Sequence, residues 1–278
     1  MRLGGPVFEK CPDPAAWTAA VKRLGYRAAY CPLPTDAVDE MVQAYEKAAK
    51  DADIVISEVG AWSNPIDPDA AKAKAAVEKN VKCLALADRI GARCCVNIAG
   101  SRNPKTWHGP SPEDFTKAVF DLIVQTVRGI IDAAKPTRAF YTLECMQWQR
   151  PHTADDYLDL LKAIDRKQFA VHFDPVNMIW SPERFYKTGD IIRDFVAKLG
   201  PHIRSCHAKD ITMSDKLTVH LDEIRPGLGN LDYKVFLKEL SGLDPDLPVM
   251  LEHLSGPEEY TKAAEHIRGV AKEVGVRL

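Results

Sequence analysis

Four apolar runs each end in a side chain able to ligate a divalent cation: Phe140 to Glu144, Phe169 to Asp174, Ile203 to His207 and Pro248 to Glu252. Successive terminal residues lie 30, 33 and 45 positions apart. Each interval suits a strand–helix–strand unit of ~30 residues or more. Two glutamates, an aspartate and an imidazole at four strand ends would hold one hard-to-borderline cation, and a parallel barrel gathers such ends about one axis. Mn²⁺ is the expected ion, with Mg²⁺, Co²⁺ and Zn²⁺ as alternatives. Open coordination positions would accept an adjacent hydroxyl and carbonyl, and carboxylates flanking the bound carbon could remove or return a proton. Glu144 and Glu252, three strands apart around an eight-stranded ring, are the candidate acid and base. This outlines an isomerase or epimerase site, and the same set would serve elimination of water.

The elements needed to position these residues are legible. Strands are expected near 3–8, 26–31, 53–59, 93–99, 139–145, 169–174, 203–208 and 249–254, separated by helical stretches. Ala73, Val77, Val81 and Leu84 form one apolar stripe; Phe115, Val119, Leu122, Ile123, Thr126, Val127, Ile130 and Ile131 form another. Ser111-Pro112, Ser181-Pro182 and Thr153 mark helix starts, and Gly25, Gly91 and Gly200 mark helix ends. Eight such units predict a single (β/α)₈ barrel domain over 1–278, with a doubly wound sheet as the weaker fit. The longer segments after strands three, four and seven should rim the pocket.

Composition agrees. The chain has 278 residues, 46% of them hydrophobic, enough for an eightfold α/β barrel of ~250 residues. A formal charge of −2 gives no footprint for nucleic acid or an anionic membrane. No apolar run approaches a membrane span or a signal-peptide core. The expected location is the cytoplasm, and a homo-oligomer is compatible with this reading. Seven cysteines without a Cys-x-x-Cys pair suggest buried inert thiols rather than disulfides or a zinc clamp.

Taken together, Glu144 in Leu-Glu-Cys, Asp174 in His-Phe-Asp-Pro, the run Cys206 to Asp210, the segment Pro226 to Tyr233 and Leu251-Glu252-His253 resemble the xylose isomerase-like TIM-barrel superfamily. That group includes sugar isomerases, ketose 3-epimerases, inosose dehydratases and the endonuclease IV type of repair enzyme. The resemblance implies that Glu144, Asp174, His207 and Glu252 ligate the metal, with the glutamates doubling as acid and base. The sugar-contact positions of ketose 3-epimerases hold Arg150, Asn177 and Met213 here, and the extra zinc-ligand regions of endonuclease IV hold Glu58, Asn97 and Asn177. The expectation is a metal-dependent sugar isomerase or epimerase acting on a small polyhydroxy carbonyl compound or keto-polyol. A dehydratase of the inosose type is the second reading, and a non-catalytic sugar-binding barrel the third.

Five further residues are candidates for substrate contact. Trp62 and Trp107 could stack on the C–H face of a sugar. His108 would enter as a lid residue, Lys209 could polarise a substrate oxygen or pair with Asp210 at the surface, and His220 could reach inwards from its loop. Arg225 shares that loop. His172, two residues before Asp174 on the same strand face, is expected one layer deeper as a core or supporting histidine.

Overall fold

The computed structural model describes residues 1–278. One sheet of nine parallel segments runs through it, and its two outer members are neighbours in sequence. In chain order the segments are β1 (Arg2–Gly5), β2 (Ala28–Ala29), β3 (Val55–Ile56), β4 (Glu58–Gly60), β5 (Cys94–Ile98), β6 (Phe140–Glu144), β7 (Phe169–Phe173), β8 (Ile203–Ala208) and, after a two-stranded hairpin, β11 (Pro248–Leu251). The hairpin is β9 (Asp210–Ser214) with β10 (His220–Ile224). The spatial order is β3-β2-β1-β11-β8-β7-β6-β5-β4. Only Ser57 separates β3 from β4. Its N–H donates to Ala29 O (2.8 Å) and its carbonyl accepts from Cys94 N (3.2 Å), so the ladder passes through it and the ring closes. The third expected strand is therefore one stave in two pieces, and the chain forms an α/β barrel of eight staves.

Helices α1 (Pro14–Arg23), α2 (Asp39–Asp51), α3 (Ala70–Ile90), α4 (Lys117–Ala134), α5 (Ala154–Ile164), α6 (Pro182–Phe185), α7 (Thr188–Leu199), α8 (Tyr233–Ser241) and α9 (Pro257–Val274) surround it. Local signals set their ends. The Asp69 carboxylate caps α3 by accepting from Ala71 N and Lys72 N, and Gly91 closes it at φ 73°. Thr116 and Thr153 cap α4 and α5. Gly200 keeps a helical φ of −43° and leads into a 3₁₀ turn rather than stopping the chain in the left-handed region.

Two stripes shift from their expected faces. In α3 the buried face runs through Ala76, Asn80, Cys83, Leu84 and Ala87, with Ala73, Val77 and Val81 at its margin. Asn80 turns inward because Tyr141 Oη donates to its Oδ1 (2.7 Å) while its Nδ2 donates to Ser63 Oγ (2.9 Å) and Ala76 O (2.8 Å). Those bonds satisfy a polar side chain that would otherwise be costly to bury. Phe115, expected in the α4 stripe, lies in a preceding 3₁₀ turn and is 43% exposed. The cysteines are free; Cys83, Cys94, Cys95, Cys145 and Cys206 are buried. No helix is long and apolar enough to cross a membrane.

Candidate metal centre

Strand alternation brings the predicted ligands together. Glu144 closes β6, Asp174 directly follows β7, His207 lies near the end of β8 and Glu252 directly follows β11. Register places Glu144 beside His172 and Met250 beside His207, so the inward-facing members of neighbouring strands meet at one end of the barrel. Their ligating atoms all lie within 4.8 Å of one another. His207 Nδ1 is 2.6 Å from Glu252 Oε1, 2.9 Å from Glu144 Oε1 and 4.0 Å from Asp174 Oδ2.

Lys209 shares the inward parity of His207 and enters the same cluster. Its Nζ lies 2.8 Å from Asp174 Oδ2, 3.1 Å from Glu252 Oε1, 3.4 Å from Glu223 Oε1 and 3.6 Å from Glu144 Oε1. The surface pair with Asp210 does not form. Asp210 instead accepts from the backbone N–H groups of Ile211, Gly227, Gly229 and Leu231, which fixes the turn between β10 and α8. A Cβ on Gly229 would come within 2.3 Å of Asp210 Oδ1 and 2.4 Å of Ile211 O, so only glycine permits this approach.

Beneath the four residues lies a second layer. Glu58 Oε1 is 3.1 Å from His207 Nε2, leaving Nδ1 directed at the outer carboxylates. Glu58 Oε2 approaches His172 Nδ1 at 3.6 Å, and that same nitrogen is 2.6 Å from Ser205 Oγ. Asn177 Nδ2 donates to Glu144 Oε1 (3.2 Å), and Asn177 Oδ1 accepts from Gln147 Nε2 (3.2 Å). Asn177 fits this role because the 3₁₀ turn 176–178 is pinned by Asp174 Oδ1, which accepts from Val176 N and Asn177 N.

Crowding shifts the titrations. Burial lifts the Glu144 carboxyl to about 7, only partly countered by Lys209 and His207. At Glu252 burial is outweighed by His207 and Lys209, which hold it well below the usual carboxylate range. Asp174 is lowered in the same way, chiefly by Lys209. Burial would discharge His207, but Glu252, Glu58 and Glu144 drive its pKa well up. Burial and the neighbouring His207 charge push His172 down to about 3, so it is neutral.

The donor set fits a divalent cation. Asp174 Oδ2 and Glu252 Oε1 are buried and close to cations yet form no hydrogen bond of acceptable geometry. An orphaned buried acceptor costs ~1–3 kcal/mol, and a cation among the carboxylates would remove that cost. Three carboxylates and one imidazole, oriented from behind by Glu58, are a hard-to-borderline donor set.

The centre forms the floor of a cavity of about 620 Å³. Trp62, Trp107, His108 and Lys209 line it, joined by Tyr30, Met146, Trp148, Glu223 and Tyr260. His220 does not. It is exposed at the outer end of β10, because the segment after His207 folds as a hairpin rather than an inward loop. Arg225 is turned away as well, pairing with Glu259 at 2.8 Å. The hairpin's contribution to the cavity is Glu223. Nothing in local sequence marks Glu223 or Trp148, whereas Glu58 could be found by asking which residues share inward strand parity with the ligands.

The family model for the xylose isomerase-like TIM barrel matches residues 18–270. The chain belongs to that family. No curated protein matches it by sequence. Among solved structures it is similar to D-psicose 3-epimerase with D-tagatose from Clostridium cellulolyticum H10, at 16% identity and TM-score 0.69 over 100% of both chains. It is also similar to the probable 3-DHS dehydratase AsbF of Bacillus anthracis, at 15% identity and TM-score 0.69 over 98% of this chain and 99% of that one. A third is a xylose isomerase-like TIM barrel protein of Mycobacterium smegmatis in complex with magnesium, at 16% identity and TM-score 0.66 over 98% and 96%. These likenesses are to the fold, and the neighbours include both an epimerase and a dehydratase.

Proposed function

We propose that this family member is a divalent-metal-dependent sugar isomerase or epimerase that moves a proton on the carbon beside a carbonyl. The observation that carries the reading is the pair of glutamates bracketing one imidazole nitrogen, Glu144 at 2.9 Å and Glu252 at 2.6 Å from His207 Nδ1. Glu144, Asp174, His207 and Glu252 would hold the cation, which would supply polarisation of the substrate carbonyl. Mn²⁺ is the first choice for this donor set, with Mg²⁺, Co²⁺ and Zn²⁺ behind it. The magnesium complex of one structural neighbour supports a divalent ion in this family's barrel.

The chain's own residues account for the proton. Each glutamate has two carboxylate oxygens, so one can ligate while the other faces the substrate carbon. Glu252 removes the proton from one side and Glu144 returns one from the other, and reversal of direction exchanges the roles. Lys209 lies beside both in the cavity wall, where its ammonium would stabilise negative charge near the reacting oxygens. Trp62, whose ring centroid lies 6.3 Å from that of His207, covers the cluster and helps exclude water. We place Trp107 and His108 on the substrate side of the rim.

A second reading, elimination of water, is favoured by Lys209 alone, whose ammonium 3.1 Å from Glu252 Oε1 could protonate a departing hydroxyl. Incubation of the Mn²⁺-loaded protein in D₂O with ketoses, keto-inositols and ring-ketone sugars separates the readings. Deuterium at the carbon beside the carbonyl, without loss of water, is the expected result. Loss of one water establishes the lyase, and binding without exchange or product reduces the chain to a sugar-binding barrel. The reading further takes the protein as soluble and acting on a small molecule.

A further inference from the structure

One carboxylate on the cavity wall stands outside the metal centre. Glu223 faces inward from β10, opposite Ile211 of β9, and is the hairpin's only residue on that wall. Its side chain is 37% exposed, and its two oxygens are held unequally. Oε2 lies 2.9 Å from His253 Nδ1, a full hydrogen bond, whereas Oε1 lies 3.4 Å from Lys209 Nζ, a long contact. An ionised carboxylate offers about four acceptor sites, so Glu223 retains acceptor capacity for a donor entering the cavity.

His253 is built to hold it. Its φ of 57° places it in the left-handed region without being glycine, a conformation that surrounding structure must impose. The other such residues, Asp53, Lys135 and Asp165, lie at or just past the ends of α2, α4 and α5, where a left-handed residue closes a helix. His253 closes none, because it follows β11 and Glu252. The turn there carries the imidazole between two carboxylates, with Nδ1 on Glu223 Oε2 and Nε2 3.4 Å from Glu252 Oε2. Glu223 is thereby set at a fixed remove from the metal-capable floor.

Lys209 sets the same remove from another side. Its Nζ is 2.8 Å from Asp174 Oδ2 and 3.4 Å from Glu223 Oε1, so one ammonium separates Glu223 from the floor. A polyol chain with two adjacent oxygens at the floor would run past Lys209. At ~1.5 Å per bond, about two or three further carbons cover that gap.

We infer that Glu223 determines specificity by accepting a hydrogen bond from the substrate hydroxyl about two or three carbons beyond the metal-held pair, and that His253 positions it. This rests on the reading of the floor given above and adds which hydroxyl the substrate must carry. A site that desolvates a carboxylate for a hydroxyl rejects the chain lacking it, because the carboxylate is then left unpaired.

The test uses unreactive polyols of increasing length, glycerol, erythritol, xylitol and sorbitol, on the full chain at confirmed Mn²⁺ occupancy. Binding is read by calorimetry and by the fall in Mn²⁺-enhanced water-proton relaxation as polyol oxygens displace water. Affinity should rise at least ~tenfold in one step between glycerol and xylitol, as one hydrogen bond to a charged group provides, and little from xylitol to sorbitol. In Glu223→Ala the xylitol-to-glycerol ratio should fall towards one, and Glu223→Gln, which keeps an acceptor oxygen without the charge, should recover part of it. His253→Asn, which tolerates the left-handed backbone, should lower the ratio as well. Combined with Glu223→Ala it should lower it no further, since a residue acting only through Glu223 has nothing left to position. A ratio that survives Glu223→Ala, or an affinity that climbs evenly with every added hydroxyl, overturns the inference. Because the polyols carry no carbonyl, the two readings fail separately. Deuterium exchange on ketoses without the step sinks the role of Glu223 alone, and the step without exchange sinks the epimerase alone.

Discussion

Two clusters in this barrel contain enough ligating side chains for a cation, and they share His207. The outer one joins Glu144, Asp174, His207 and Glu252; the inner one joins Glu58, His172 and His207. The outer cluster carries three carboxylates, has Lys209 beside it and faces the cavity. The inner cluster carries one carboxylate, and its second imidazole, His172, is fully buried with Nδ1 occupied by Ser205 Oγ. The difference shows how one imidazole serves two layers. Nδ1 is offered to the outer set, and Nε2 is held by Glu58, which fixes the ring and its tautomer. The inner cluster is therefore placed to support the outer one.

The largest effect should come from cutting the shared member. His207→Ala removes the only nitrogen ligand and separates the layers, so Mn²⁺ binding measured by calorimetry should fall below detection and exchange should vanish with it. Retained stoichiometric binding would show that the carboxylates suffice and that the two clusters are independent. Next, Glu144→Gln and Glu252→Gln should each lower turnover by ~10²–10⁴-fold even at metal concentrations that restore occupancy, since each loses a proton-transfer group as well as a charge. Asp174→Asn should be partly rescued by excess Mn²⁺. Near-normal turnover of either glutamine variant at confirmed occupancy removes that residue from catalysis.

The pH dependence of metal binding tests the outer cluster from another side. Metal ligands must be deprotonated, so a ligand whose pKa is raised releases its proton when metal binds. His207 is raised well above its usual value and carries a proton across neutral pH. Glu144, lifted to about 7, carries a second proton only below that point. Affinity should accordingly rise with pH by roughly tenfold per unit for each proton released, more steeply below about 7 than above it. Glu252 and Asp174, held low, should contribute nothing to the slope in this window. Binding that is flat between pH 6 and 8 in a calorimetric series of ~1-unit steps would show that the outer imidazole is neutral before metal arrives.

All four members of the outer cluster were legible in the sequence because they end apolar runs, and a strand end is a local signal. The eight staves were legible for the same reason, down to helix caps such as Ser111 and Thr153, whose hydroxyls accept backbone N–H groups as their positions suggest. Of the inner cluster, His172 was legible from the strand parity it shares with Asp174, but Glu58 was not. Glu58 lies inside an apolar stretch, where a carboxylate reads as an interruption until His207, 149 positions away, is placed against it. His220 failed for the opposite reason: it sits near the site in sequence, but antiparallel pairing with β9 carries it outward to face Ser214. Strand parity fixes which way a residue points and says nothing about which distant strand it meets.

The finest test of the comparison is Glu58→Gln. Glutamine keeps the length of the side chain and an oxygen that can still accept from His207 Nε2, but it loses the charge that holds the imidazole's far proton and strengthens Nδ1 as a donor. If Glu58 only fills space, Mn²⁺ affinity and exchange should be unchanged. If the inner layer orients the outer one, affinity should drop by ~10–100-fold, with exchange recovering as Mn²⁺ is raised to saturation, because no proton-transfer group has been touched. His172→Asn serves as the control, since His172 is neutral, bonds Ser205 Oγ and packs edge-on against the His207 ring at 4.0 Å between centroids without a hydrogen bond to it. It should leave the Mn²⁺ stoichiometry at one. A second equivalent of Mn²⁺ bound by the native chain and lost in both variants would make the inner cluster a metal site in its own right.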